Sequence, residues 1–184
     1  LDQLVAGSQP VCLLIPQGRV LAEVQRWLGG IALQAGDSLN RGLLELHILP
    51  FTTPDEYDRL LWCCDLNIVR GEDSFVRAQW AGLPLLWQIY PQEDSAHLVK
   101  LEAFLGLYLK GLSPAASEAL RHFWLDWNAG RALDGSWCAL QAHWPELQEH
   151  ARGWCERLLA GKNISQEVVT FAQERLIFAP NKLA

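Results

Sequence analysis

The sequence predicts an α/β fold, a parallel sheet followed by a helical block, and three observations carry that expectation. Over residues 10–92, short apolar runs bounded by proline or glycine alternate with segments of helical spacing, the pattern of a parallel sheet with helices on its faces. Over residues 94–178 the spacing is helical throughout, and no good strand candidate follows Ile89. Between the two, Asp65 to Gln92 reads as strand, polar loop, helix and strand, a compact βαβ crossover.

Taken in order, residues 1–9 read as a polar lead-in or linker remnant. Val11-Cys12-Leu13-Leu14-Ile15, between Pro10 and Pro16, is a buried strand. Val20, Leu21, Val24, Trp27 and Leu28 recur at helical spacing, and Gly29-Gly30 end that helix. Residues 31–42 are ambiguous, with a turn at Gly36-Asp37-Ser38, and residues 43–49 are the next strand, closed by Pro50. Asp55 to Cys64 is a helix with Thr53 as its cap and Pro54 at its first position. Leu66 to Val69 is a strand, and Arg70-Gly71-Glu72-Asp73-Ser74 is the loop, with Asp73 or Ser74 capping a helix that Gly82 stops. Pro84 to Tyr90 is the following strand. Helices are expected over Ala96–Lys110, Pro114–Ala129, Ser136–Ala160 and, after a Gly161-Lys162-Asn163 turn, Ile164–Leu176.

The length of 184 residues suits one domain, 1–184, with a real core. A formal net charge of -6 without a Lys/Arg cluster argues against nucleic acid as a partner. No apolar run approaches membrane-spanning length and nothing resembles a signal peptide, so no membrane partner is expected. The five cysteines include no CxxC pair, which fits reduced, mostly buried thiols in a cytoplasmic protein. Without paired Cys/His spacing no zinc site is expected. The chain has no methionine and begins Leu-Asp-Gln, so it reads as a piece of a longer protein.

The chemistry concentrates in the loop after residue 69. In parallel sheets ligands bind at the carboxyl ends of strands, and a helix amino terminus there favours an anion. Arg70 is a possible phosphate clamp, Gly71 lets a ligand approach the backbone, and Glu72 or Asp73 could hold sugar hydroxyls. The plainer reading of the two acids is capping and complementarity to the helix dipole. Phe51 and Tyr90 stand at strand ends, as core or rim packing or as a stacking surface for a base. The tryptophans read mainly as core. The histidines show no metal spacing, and His97 reaches the rim only if Asp94 or Ser95 caps its helix. GxGxxG, GxxxxGK[ST] and GxSxG are absent, which leaves nucleotide-sugar transferases as a natural class.

Asp65-Leu66-Asn67-Ile68-Val69-Arg70-Gly71-Glu72-Asp73-Ser74-Phe75-Val76-Arg77-Ala78-Gln79-Trp80-Ala81-Gly82, followed by Trp87-Gln88-Ile89-Tyr90-Pro91-Gln92, closely resembles the bacterial arginine rhamnosyltransferases known as EarP. Those enzymes modify translation elongation factor P. Leu49-Pro50-Phe51, Tyr57 to Trp62 and His97 to Leu105 look like the same family. The resemblance implies the Rossmann-like carboxyl-terminal domain of a GT-B glycosyltransferase, with the amino-terminal acceptor domain absent. It implies dTDP-β-L-rhamnose as donor, one arginine of elongation factor P as acceptor, inversion at the anomeric carbon, and neither metal nor cofactor. It places Phe51 and Tyr90 at the thymidine, Arg70, Asp73 and Ser74 around the diphosphate, and Glu72 as the residue needed for catalysis, through orientation of the donor. The family's catalytic aspartates lie in the amino-terminal domain, so this chain alone is expected to be inactive. Two other readings remain open: a GT-B transferase for a different nucleotide sugar, and a non-catalytic interaction domain in which Glu72-Asp73-Ser74 only cap a helix.

Overall fold

The computed structural model describes residues 1–161 and 163–177 and divides into two compact units, Leu1–Leu60 and residues 61–184. Lys162 of the expected turn and residues 178–184 lie outside the described residues.

The first unit contains α1 (Asp2–Val5), β1 (Val11–Pro16), α2 (Arg19–Trp27), β2 (Ser38–Arg41) and β3 (Leu44–Leu49), and α3 (Pro54–Cys63) begins in it. β1 and β3 run parallel, in register Val11 opposite Leu44 through Pro16 opposite Leu49. β2 lies antiparallel on the far side of β3, so this sheet is mixed rather than purely parallel. The cause is local. Only Gly42-Leu43 separates β2 from β3, too short for a crossover, and Gly42 takes the positive φ (61°) that such a turn needs. A Cβ at Gly42 would also stand 2.8 Å from the Val5 carbonyl oxygen, so the site excludes a side chain.

Strand alternation turns Leu44, Leu46 and Ile48 inward onto Leu21 and Val24 of α2. Leu4, Val5, Trp27 and Leu28 pack around that cluster, and the Trp27 indole donates to Asp2 Oδ1 at 2.9 Å. The first residues are thus a folded helix closing a core, where a linker was expected. The same alternation turns Cys12 outward, and none of the five cysteines is buried or in a disulfide. An apolar run in a strand buries only the half of its residues that face the core. The α3 start is a capping box: Thr53 N donates to Glu56 Oε2 at 2.8 Å and Glu56 N to Thr53 Oγ1 at 3.4 Å. The Thr53 amide and hydroxyl hold the Glu56 carboxyl below its ordinary range.

The second unit is built on β4 (Asn67–Val69), α4 (Glu72–Trp80) and β5 (Leu85–Trp87), with the strands parallel and Asn67 opposite Leu85. Helices α5 (Ala96–Tyr108), α6 (Pro114–Asn128), α7 (Asp134–Ala142), α8 (Trp144–Leu159) and α9 (Ile164–Ile177) follow. The continuous helix expected over 136–160 is two. Pro145 has no amide proton to donate, so α7 ends before it and it sits in the first turn of α8. Among the described residues no strand follows β5, and no helix is long and apolar enough to cross a membrane.

Aromatic rings fill this unit. Phe75 of α4 stacks on Trp87 of β5 at 4.0 Å and meets Phe104 of α5 edge-on at 4.7 Å, and Phe104 in turn stacks on Trp124 of α6. Trp124 is fully buried, whereas Trp62 and Trp80 are exposed, against the expectation of a mainly buried set. Gly82 stops α4 at φ 66° as expected, and Cys155 of α8 lies 3.4 Å from where its Cβ would be. On α8, half-buried His150 faces the Tyr108 carbonyl through Nε2 at 2.6 Å. Burial lowers its pKa, and the Arg157 charge adds to that, against the raising effects of the Tyr108 carbonyl and Glu146.

A folded pKa below the unfolded value near 6.5 means that unfolded chains bind this proton more readily. The stability His150 contributes is therefore full above that value and falls as pH drops past it. Denaturant midpoints measured from about pH 7.5 down to about pH 5.5 should decline, and His150→Gln, which can still donate to the Tyr108 carbonyl, should flatten that decline.

Candidate functional site

Strand β5 is shorter than the expected Pro84–Tyr90, and the reason sits at its carboxyl end. Gln88 N still donates to the Val69 carbonyl at 2.8 Å, but the next amide, Ile89 N, turns to Asn128 Oδ1 at 3.0 Å. The Asn128 amide group donates to the Trp87 and Trp124 carbonyls, both at 2.9 Å. One side chain from the end of α6 thus replaces the ladder and fixes where the chain leaves the sheet. Across from it, the Trp87 indole donates to the Arg70 carbonyl at 3.0 Å, anchoring the residue that follows β4.

These anchors bring Arg70 and Tyr90 together. The Arg70 guanidinium carbon lies 4.7 Å from the Tyr90 ring centroid, a cation–π contact. The Arg70 Nε atom is buried and has no hydrogen-bond acceptor among the described residues. A buried donor without an acceptor is costly, and an anion beside it would relieve that cost. Arg70, Glu72, Tyr90, Gln92 and Lys100 line a pocket of about 230 Å³ floored by Trp87 and Ile89. Lys100 reaches from α5 to within 3.9 Å of Glu72 Oε1, a loose pair between two well-exposed side chains.

The cap differs from expectation. Gly71, with extended backbone (φ -67°, ψ 155°), is the N-cap of α4, and neither Asp73 nor Ser74 makes a side-chain cap bond. Phe75 N is the first amide bonded back, to the Gly71 carbonyl at 2.9 Å, and the amides before it have no partner within the helix. An added Cβ at Gly71 would meet only Ser74 Oγ, at 3.8 Å, so the approach to that helix start is open.

Arg70, Glu72 and Tyr90 share the pocket, while Asp73 and Ser74 do not line it. Successive helical residues point about 100° apart, so a first turn that aims Glu72 at the pocket aims Asp73 away. Asp73 instead accepts from Arg77 Nε at 2.8 Å, one turn along α4. Phe51 belongs to the first unit, just after β3, and is 79% exposed. Ser95 is the N-cap of α5 without a side-chain cap bond, and His97 Nδ1 accepts from Gln92 N at 3.1 Å, tying it to the pocket's rim. Gln92 and Lys100 lie in stretches that resemble the family but drew no site role from the sequence, and Asn128 lay in no such stretch. Their roles come from neighbours distant along the chain.

Fold and site together define an α/β protein with a cation-bearing, aromatic-sided pocket at the carboxyl end of a parallel strand pair, the place where such sheets hold phosphorylated ligands. The chain belongs to the EarP family: a family model described as Elongation-Factor P (EF-P) rhamnosyltransferase EarP matches residues 1–173. It is 53% identical over 171 residues to a protein-arginine rhamnosyltransferase of Pseudomonas aeruginosa, covering 93% of this chain and 46% of that protein. A Pseudomonas putida protein of the same description is 51% identical, covering 96% of this chain and 47% of its own length. A solved structure described as the structural basis for EarP-mediated arginine glycosylation of translation elongation factor EF-P matches with a TM-score of 0.86 at 48% identity. That match covers 94% of this chain and 55% of the solved one. The chain therefore spans about half the length of the curated relatives it matches.

Pyrophosphate, titrated calorimetrically, is the simplest probe of the pocket's charge. Removing a charge-assisted donor costs ~1.5–3 kcal/mol, so Arg70→Ala should weaken binding by roughly ten- to a hundredfold. Lys100→Ala, at a more exposed position, should weaken it less. A separate expectation concerns the support: Asn128→Ala should lower the denaturation free energy by ~1–3 kcal/mol, because it strands the Ile89 amide and the Trp87 carbonyl.

Proposed function

We propose that this chain is the donor-binding half of a GT-B glycosyltransferase that moves L-rhamnose from dTDP-β-L-rhamnose to an arginine of elongation factor P, with inversion. The observation that carries this reading is the pocket after β4 in a member of this family, where Arg70, with an unpaired buried Nε, lies against Tyr90 beside Glu72 and Lys100.

In this reading the diphosphate sits between Arg70 and Lys100, with the open amides at the start of α4 completing its shell. Those groups take the charge that builds on the departing nucleotide diphosphate, so no metal is needed. Tyr90 offers a face to the thymine ring. Ser74 contributes through its amide. Asp73 contributes by holding Arg77 and through the dipole of the helix start. Glu72 accepts from a donor hydroxyl and orients the sugar. A guanidinium nitrogen of the acceptor then attacks the anomeric carbon from the face opposite the leaving oxygen. The carbon–nitrogen bond forms as the carbon–oxygen bond breaks, and the proton passes to a base supplied outside this chain. Transfer thus depends on positioning here and activation elsewhere. An acceptor that serves translation places the reaction in the cytoplasm.

Calorimetric titration with dTDP and with UDP tests the donor assignment. Selective dTDP binding, weakened roughly ten- to a hundredfold by Tyr90→Ala through lost stacking, is the expected outcome. Equal weak affinity for both nucleotides would point to another nucleotide-sugar transferase, and no binding even by the full-length protein would leave the interaction-domain reading. Wild-type transfer by a full-length Glu72→Ala variant would remove Glu72 from the mechanism.

A further inference from the structure

The outer face of the first unit's sheet carries a group of side chains with no part in the reading above. Cys12 of β1 and Glu45 of β3 are register partners, and His47 follows two residues along β3 on the same face. One ligand atom of each, the Cys12 thiol, a Glu45 carboxylate oxygen and an imidazole nitrogen of His47, all lie within 4.8 Å of one another. His47 Nε2 already meets Glu45 Oε1 at 2.8 Å. Asn40 of β2 stands opposite Glu45 in the same row, and Cys12, Glu45 and Asn40 border a shallow pocket of about 350 Å³.

We propose that Cys12, Glu45 and His47 form a binding site for a divalent transition metal of the zinc class. Sulfur, nitrogen and oxygen donors together suit a borderline ion such as Zn2+ and suit Mg2+ or Ca2+ poorly. Bond lengths of about 2.0–2.3 Å set tetrahedral ligand atoms roughly 3.3–3.8 Å apart, so the widest separation must close by about an ångström while the 2.8 Å His47–Glu45 pair opens slightly. Side-chain rotation supplies that, because Cys12 and Glu45 are exposed and His47 is partly so. The strands themselves need not move, since the parallel pairing of β1 with β3 already fixes the spacing of the backbones. Three protein ligands leave a fourth position for water. The site escapes a search for local Cys/His spacing because its ligands come from two strands 33 residues apart in register.

The test is titration of the full 184-residue chain, reduced and stripped with chelator, with Zn2+ by calorimetry and with Co2+ by absorption. One ion per chain is expected, with a thiolate-to-cobalt charge-transfer band and the intense visible bands of four-coordinate Co2+. Cys12→Ser should abolish the charge-transfer band. His47→Gln should weaken Zn2+ binding by more than the ~10–100-fold that loss of a mere outer-shell partner costs. Circular dichroism of both variants checks that the sheet persists, and either folded variant suffices. A pale, six-coordinate Co2+ spectrum would overturn the proposal. So would binding unchanged in Cys12→Ser or His47→Gln, which would assign the ion to the other cysteines or histidines.

Discussion

The second unit depends on how a two-stranded parallel ladder ends. Parallel strands leave amides and carbonyls directed beyond their last pair, and buried groups of that kind need partners. Here Asn128 accepts from Ile89 and donates to Trp87, and the Trp87 indole reaches across to the Arg70 carbonyl. Those bonds join the exit of one strand, the exit of the other and the end of α6. The pocket is the space they leave open. Arg70 and Tyr90 meet because both follow strand ends that are pinned, and Phe75 stacked on Trp87 keeps α4 behind them.

Electrostatics then gives that space its character. The chain is acidic overall, yet the pocket carries two cations against one carboxylate. A guanidinium lying on a tyrosine face is held without a counter-charge, and its buried Nε keeps an unused donor. Lys100 meets Glu72 only at 3.9 Å, and so loose a pair between exposed side chains gives way readily to a stronger anion. The pocket is thus kept positive by geometry rather than by composition.

Several of these features are legible in the amino-acid sequence. The alternation of apolar runs with helical segments marks the strands at Val11–Pro16 and Leu44–Leu49 and the crossover around α4. Arg70, Glu72 and Tyr90 fall at one rim because strand ends in a βαβ unit converge there. Thr53 as cap and Gly82 as stop rest on chemistry confined to one turn, and both are found in the fold. Where local signals are even, sequence reading fails. Asp73 and Ser74 resemble caps, but Gly71 takes the position and leaves Asp73 to Arg77. The lead-in looks polar, yet Leu4 and Val5 close a core. The cysteines look buried, because a continuous apolar run does not say which alternate residues face outward.

By itself, the sequence determined what depends on neighbours within a few residues: helical and strand periodicity, the capping box, the glycine stop, and a long ordered stretch specific enough to name a family. Tertiary structure alone decided which side chains meet. Asn128 reaches strand β5 across about forty residues, Lys100 comes to Glu72 from another helix, and Cys12 stands beside Glu45 because β1 pairs with β3. Each of these contacts depends on a register or a packing angle that no local residue pattern encodes. Periodicity fixes which face of an element is apolar, but only packing fixes what that face is set against.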